Sequence, residues 1–76
     1  MDDKNFLIRL GLKLKILRSI KRLSQDDIAN RLNIDKSYYS KVERGLTNPT
    51  LLYMKHLSEI LEVELAELMD SNINIK

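Results

Sequence analysis

Two tyrosines stand side by side in the run NIDKSYYSKVERG, residues 33–45, flanked by lysines and serines. Adjacent residues on a helix lie about 100° apart, so Tyr38 and Tyr39 cannot share the same surroundings. Tyr39 is three residues before Val42 and belongs to an inward face, with its hydroxyl expected near the rim of a core. Tyr38 then falls on the open face beside Ser37 and Lys41. A rigid ring with a polar tip, next to a long cation, suits packing on a thymine methyl or bonding to a phosphate. Other chemistries lack their parts. There is one histidine, His56, no cysteine and no clustered set of carboxylates. No nucleophile–base pair and no soft-ligand metal set can be assembled, so neither an enzyme nor a bound cofactor or metal is expected.

Charge distribution points the same way. Net charge is only +2, but residues 1–45 carry eleven Lys/Arg against six Asp/Glu, whereas residues 46–76 carry two against five. A basic front and an acidic back fit a polyanion partner on one side. With 76 residues the chain has room for one small domain with a thin core. No apolar run approaches the roughly 18 residues that span a bilayer. The opening MDDKNF lacks the charged-then-apolar order of a signal peptide. A soluble cytoplasmic protein, with neither a membrane nor a small-molecule ligand as partner, is the expectation.

The elements that must position these residues are short helices. The first is expected over about Lys4–Lys21, with Asp3 as N-cap and apolar residues at Phe6, Leu7, Leu10, Leu14 and Leu17. Ser24 opens the second as N-cap, and Asp27 three residues later makes a short capping box. That helix ends near Leu32 at Asn33, a residue that tolerates a left-handed backbone. Asp35 is placed to cap the third, and Gly45 to end it. Thr50 caps a fourth over Leu51–Leu61, and a fifth follows over Leu65–Asp70 with a poorly signalled start at Glu64. No segment alternates with a period of two, so the fold class is all-α: a domain over 1–70 and a tail, SNINIK, over 71–76.

Within QDDIANRLNIDKSYYSKVER, residues 25–44, Ile28, Leu32, Ile34, Tyr39 and Val42 are the inward positions of two steeply crossing helices. Ala29 is small where the backbones approach, and Asn33 sits at the turn. This is the helix-turn-helix pattern. Together with the upstream LGLKLKILR and the downstream NPTLLYMKHLSEILEV, it resembles the Cro/phage-repressor (Xre-type) helix-turn-helix family over roughly residues 8–69. The resemblance is somewhat closer to small stand-alone members, including controller proteins of restriction–modification systems.

That resemblance implies a compact five-helix domain whose third helix enters the major groove of double-stranded DNA, usually as a dimer on a two-fold operator. By position, Lys36, Ser37, Tyr38 and Lys41 would form its base-reading face. Gln25, Arg44, Thr47 and Asn48 would meet the phosphate backbone. Arg18 and Glu43 would form a shielded structural ion pair; Glu43 would otherwise repel phosphate from a DNA-facing helix. Two residues depart from the family pattern. Arg22 stands where a helix-ending glycine is common, and Glu64 where a better cap is common.

On the fourth helix, Leu51, Met54, Leu57, Ser58 and Leu61 are expected to be buried. Leu52, Tyr53, His56 and Ile60 fall on another face as one stripe and are read as a homodimer interface. Leu12, Ile16 and Ile20 make a further stripe on the first helix, either wider core contact or a further contact surface. The rival to a DNA-binding transcription regulator is a protein-interaction module, such as an antitoxin or accessory subunit, using the fourth-helix stripe or the tail to hold a partner.

Overall fold

The computed structural model describes residues 3–70; the SNINIK tail lies outside the described residues. Five helices follow one another: α1 (Asp3–Ile20), α2 (Gln25–Leu32), α3 (Lys36–Glu43), α4 (Leu51–Leu61) and α5 (Leu65–Met69). There is no strand among the described residues. The helix α3 packs on α1 and α2, α4 packs on α2 and α5, and α5 closes back on α1. One core runs through all five: Leu10, Leu14, Ile28, Tyr39, Val42, Met54, Leu57, Leu61 and Leu68.

Local chemistry sets most helix ends. At α2 the capping box forms as the spacing demands: Asp27 N–H donates to Ser24 Oγ (3.0 Å) and Ser24 N–H to Asp27 Oδ2 (2.7 Å). Asn33 closes α2 with φ 55°, and Ile34 N–H returns to the Ala29 carbonyl at 3.0 Å. Gly45 follows α3 with φ 72°, letting Leu46 N–H reach the Lys41 carbonyl at 2.9 Å. Thr50 accepts from Tyr53 N–H at 3.1 Å and starts α4. Two non-glycine residues, Arg22 (φ 58°) and Glu62 (φ 57°), also take the left-handed conformation to end α1 and α4.

Some expectations need correction. Asp3 is the first residue of α1 rather than its cap. Asp35 occupies the N-cap position of α3 without a side-chain cap bond; its carboxylate instead accepts from Ser37 Oγ at 3.3 Å. Glu64 likewise starts α5 without a side-chain cap. Of the apolar residues of α1, Phe6 is exposed, and so are Leu12 and Ile20, whose stripe is therefore not part of the core. Leu51 is 67% exposed rather than buried: α4 turns Met54, Leu57, Ser58 and Leu61 to the core and leaves its first two residues outside.

Two α1 residues do tertiary work that amphipathic periodicity conceals. Gly11 lies where α1 crosses the end of α3 in backbone contact: a Cβ there would fall 2.1 Å from the Glu43 carbonyl oxygen. Lys13 is fully buried and donates to the carbonyls of Glu67 (2.5 Å) and Asp70 (3.1 Å), with the Glu67 carboxylate at 3.4 Å. A cation there meets the negative end of α5 and its carbonyls, so α1 docks the last described helix.

Candidate nucleic-acid interface

The inner side of α3 is anchored hard. Tyr39 is 0% and Val42 2% exposed. Glu43, one turn further on, is gripped by two elements. Arg18 of α1 donates Nε to Oε2 at 2.6 Å and Nη2 to Oε1 at 3.1 Å, while its Nη1 donates to the Leu23 carbonyl at 2.8 Å. Gln25 of α2 donates Nε2 to Oε1 at 3.0 Å. The side chains of the ion pair are 14% and 4% exposed. Burial works to raise the Glu43 carboxyl, but the Arg18 guanidinium above all, with the Tyr39 hydroxyl and the Gln25 amide beside it, outweighs that and holds the group below the usual carboxylate range. The Tyr39 hydroxyl is enclosed beside this cluster with no hydrogen-bond partner among the described residues. Burial first, and then the Glu43 carboxylate, push its phenol well above the ordinary value.

The outer side is open and basic. Lys36, Ser37, Lys41 and Arg44 are exposed, and the one acid of α3 is the withdrawn Glu43. Lys36 sits at the N-terminal turn of α3, against the helix dipole, so its placement does nothing for local stability. Its ammonium reaches Asp26 Oδ2 at 3.4 Å across the solvent. Arg44 Nε lies 3.4 Å from the Ser40 carbonyl, Asn48 is exposed and Thr47 is half-buried. Three cations, Lys36, Lys41 and Arg44, therefore line one side of α3 and its exit, with the exposed acids Asp26 and Asp35 confined to its N-terminal end.

Two predicted site residues are held differently from the expectation. Tyr38 is not on an open face: it is half-buried, with its ring set edge-on to Tyr53 of α4, centroids 5.4 Å apart and planes at 80°. Gln25 does not project freely from the start of α2, because its amide is taken by Glu43. The predicted α4 stripe also divides. Leu52 (60% exposed) and His56 face outward, whereas Tyr53 and Ile60 are half-buried against the core. Leu46 and Leu51 are exposed as well, so the outward apolar surface begins before α4 and includes its first turn. Burial raises the Tyr53 phenol, and Tyr38 adds to it. Among the described residues no helix is long and apolar enough to cross a membrane.

Sequence reasoning missed Gly11, Lys13 and the inward role of Tyr53. Gly11 carried a signal: an isolated glycine inside a helical pattern marks a close backbone approach. Lys13 carried none, since a lysine one position from an apolar stripe reads as a solvated edge.

With this geometry in hand, the chain can be set beside known proteins. The helix-turn-helix family HTH_3 matches residues 14–68. The control protein C.MunI of a Mycoplasma species is 42% identical over 62 residues, spanning 80% of this chain and 84% of the relative. The solved structure of the restriction-modification controller protein C.AhdI from Aeromonas hydrophila superposes with a TM-score of 0.77 at 39% identity, covering 82% of this chain and 94% of that one. The biofilm master regulator SinR, solved in complex with DNA, superposes with a TM-score of 0.74 at 34% identity over 80% of this chain and 98% of that one. Among longer regulators and repressors that it matches, the chain spans between 41% and 58% of the relative's own length.

Proposed function

We infer, from the premise that the chain belongs to the HTH_3 helix-turn-helix family, that it is a DNA-binding transcription regulator and not an enzyme. The observation that carries this reading is the two-sidedness of α3. Its inner face is anchored by Tyr39, Val42 and Glu43, its outer face is cationic, and its only carboxylate is neutralised by Arg18 from behind. A helix so fixed presents side chains to a polyanion without having to order itself on binding, and its length matches the width of a major groove. The likeness to a regulator solved with DNA supports the same docking.

In detail, α3 lies in the major groove. Lys41 and Lys36 reach guanine O6 and N7, Ser37 takes a nearby base edge or phosphate, and the exposed part of the Tyr38 ring packs on a thymine methyl. Arg44, Thr47 and Asn48 meet the backbone from the end of α3 and the loop after it, and Gln25 does so from the start of α2. To bond a phosphate, Gln25 releases Glu43, which keeps its two bonds from Arg18. Two copies bind a pseudo-palindromic site in the cytoplasm. They associate through the α4 stripe of Leu52, Tyr53, His56 and Ile60, in which the exposed Leu52 and His56, with the exposed Leu51, make the contact and the half-buried Tyr53 and Ile60 back it.

Selection from a random duplex pool at about 150 mM salt, followed by sequencing, tests the reading. The expected product is an inverted repeat with half-sites about one helical turn apart. Retention of all sequences alike, weakening uniformly with salt, would mean that the basic face supplies charge without readout.

A further inference from the structure

The ring pair between Tyr38 and Tyr53 joins the helix that reads DNA to one that does not. Chiefly, α3 rests on α1 and α2; Tyr53 reaches it from α4, three residues after the Thr50 cap that fixes its backbone at 3.1 Å. The contact falls on Tyr38, which is half-buried, between the buried Tyr39 and the exposed Ser37. A tyrosine ring has two torsions, and an edge-to-face neighbour 5.4 Å away restricts both. Tyr53 cannot itself bond DNA from this position, because its hydroxyl is enclosed by protein and has no hydrogen-bond partner among the described residues. An enclosed, unpartnered hydroxyl is a cost to folding, so phenylalanine would pack there at least as well. What the position supplies to α3 is an aromatic surface.

We propose that Tyr53 is a positioning residue for sequence readout: from α4 it holds the Tyr38 ring in the orientation in which its exposed part meets a base pair. The proposal rests on the assignment of Tyr38 to the base-reading face made above. Tyr53 determines specificity while touching no nucleotide, and the same helix that carries Leu52 and His56 on its outer side sets the readout on its inner side.

The experiment uses a duplex carrying one selected half-site, so that dimerisation contributes nothing, and a scrambled duplex of the same length. The readout is the ratio of the two affinities. Tyr53→Phe keeps the wild-type ratio, since the ring pair survives. Tyr53→Met, which fills the space without an aromatic face, lowers the ratio about three- to tenfold while binding to the scrambled duplex stays unchanged. On a Tyr38→Ala background, Tyr53→Met lowers it no further. Far-UV circular dichroism checks that each variant is folded, with Tyr53→Leu used in place of Tyr53→Met if that variant is not. An unchanged ratio in Tyr53→Met, with Tyr38→Ala still losing preference, would overturn the positioning role and leave the regulator intact. Equal weakening on both duplexes, or a loss that persists without Tyr38, would make Tyr53 ordinary packing and overturn it too. A wild-type protein that prefers neither duplex would bring down the DNA-reading assignment itself, and this inference with it.

Discussion

Removal of the Arg18 guanidinium should cost far more than a surface ion pair would suggest. In Arg18→Met, the Glu43 carboxylate keeps its place under α3, with a side chain only 4% exposed, and loses both Arg18 bonds while retaining that from the Gln25 amide. Stranding a charge in such a site costs about 3–5 kcal/mol, against about 0–1 kcal/mol for an exposed pair. For a domain of this size each kcal/mol moves the melting temperature by about 4–8 °C, so a fall of at least about 12 °C is expected. Glu43→Gln should be milder, about 1–3 kcal/mol, because the amide oxygen still accepts from Arg18, which also keeps the Leu23 carbonyl. The double variant should be more stable than the sum of the two losses by about 1–3 kcal/mol, the mark of a direct interaction. The acid limb gives an independent sign. The folded Glu43 carboxyl is held below its unfolded value, so its stabilisation is fully present above the unfolded pKa of about 4.3 and is lost as pH falls through the lower folded value. Wild-type stability should therefore drop below about pH 4 with a component that Glu43→Gln lacks. Urea melts followed by far-UV circular dichroism measure all four proteins across pH. A cost under about 1 kcal/mol for Arg18→Met, or losses that simply add, would refute the buried pair as the anchor of α3.

Three further outcomes are expected. Lys41→Ala should lose about 1–3 kcal/mol on the selected duplex and much less on scrambled DNA, read by fluorescence anisotropy titration; equal losses on both would move Lys41 to the phosphate backbone. Gly11→Ala should destabilise by at least about 1–3 kcal/mol even though alanine is the better helix former by about 1 kcal/mol, because its Cβ meets the Glu43 carbonyl at 2.1 Å; a thermal melt that rises instead would mean α1 and α3 part at little cost. Arg22→Gly should stabilise by about 1 kcal/mol, since φ 58° costs a side-chain-bearing residue and not glycine; a drop in the melt would show that the arginine side chain contributes more than its backbone conformation costs.

How much of the molecule can be read before it folds follows from the range of the forces. The ends of α2 and α4 and the exit of α3 are legible because caps act over three or four residues: Ser24 with Asp27, Asn33, Gly45 and Thr50 each do in the fold what their types do in any chain. The α2–α3 pattern, resting on Ile28, Ala29, Leu32, Ile34, Tyr39 and Val42, was equally legible, since helical periodicity names the inward stripe directly. The partnership of Arg18 with Glu43 came from the family resemblance and is present at 2.6 Å; no spacing rule would have joined residues 25 positions apart.

Periodicity fails at the edges of a stripe, where a residue is buried or not according to which neighbouring helix happens to cover it. Leu51 is on the correct side of α4 for burial, three residues before the buried Met54, but it lies at the start of the helix and is exposed. Lys13 is at the margin of α1, but α5 closes over it and offers its carbonyls, so a cation is buried. Tyr38 and Tyr53, both read as facing outward, meet each other because α4 passes close to α3. Gln25 finds Glu43 for the same kind of reason. The sequence by itself determined the elements, their ends and the cationic character of α3, all properties of near neighbours along the chain. The tertiary structure alone decided which aromatic supports which and where each marginal side chain is covered, because those depend on contacts between residues far apart in sequence that come together only when the helices pack.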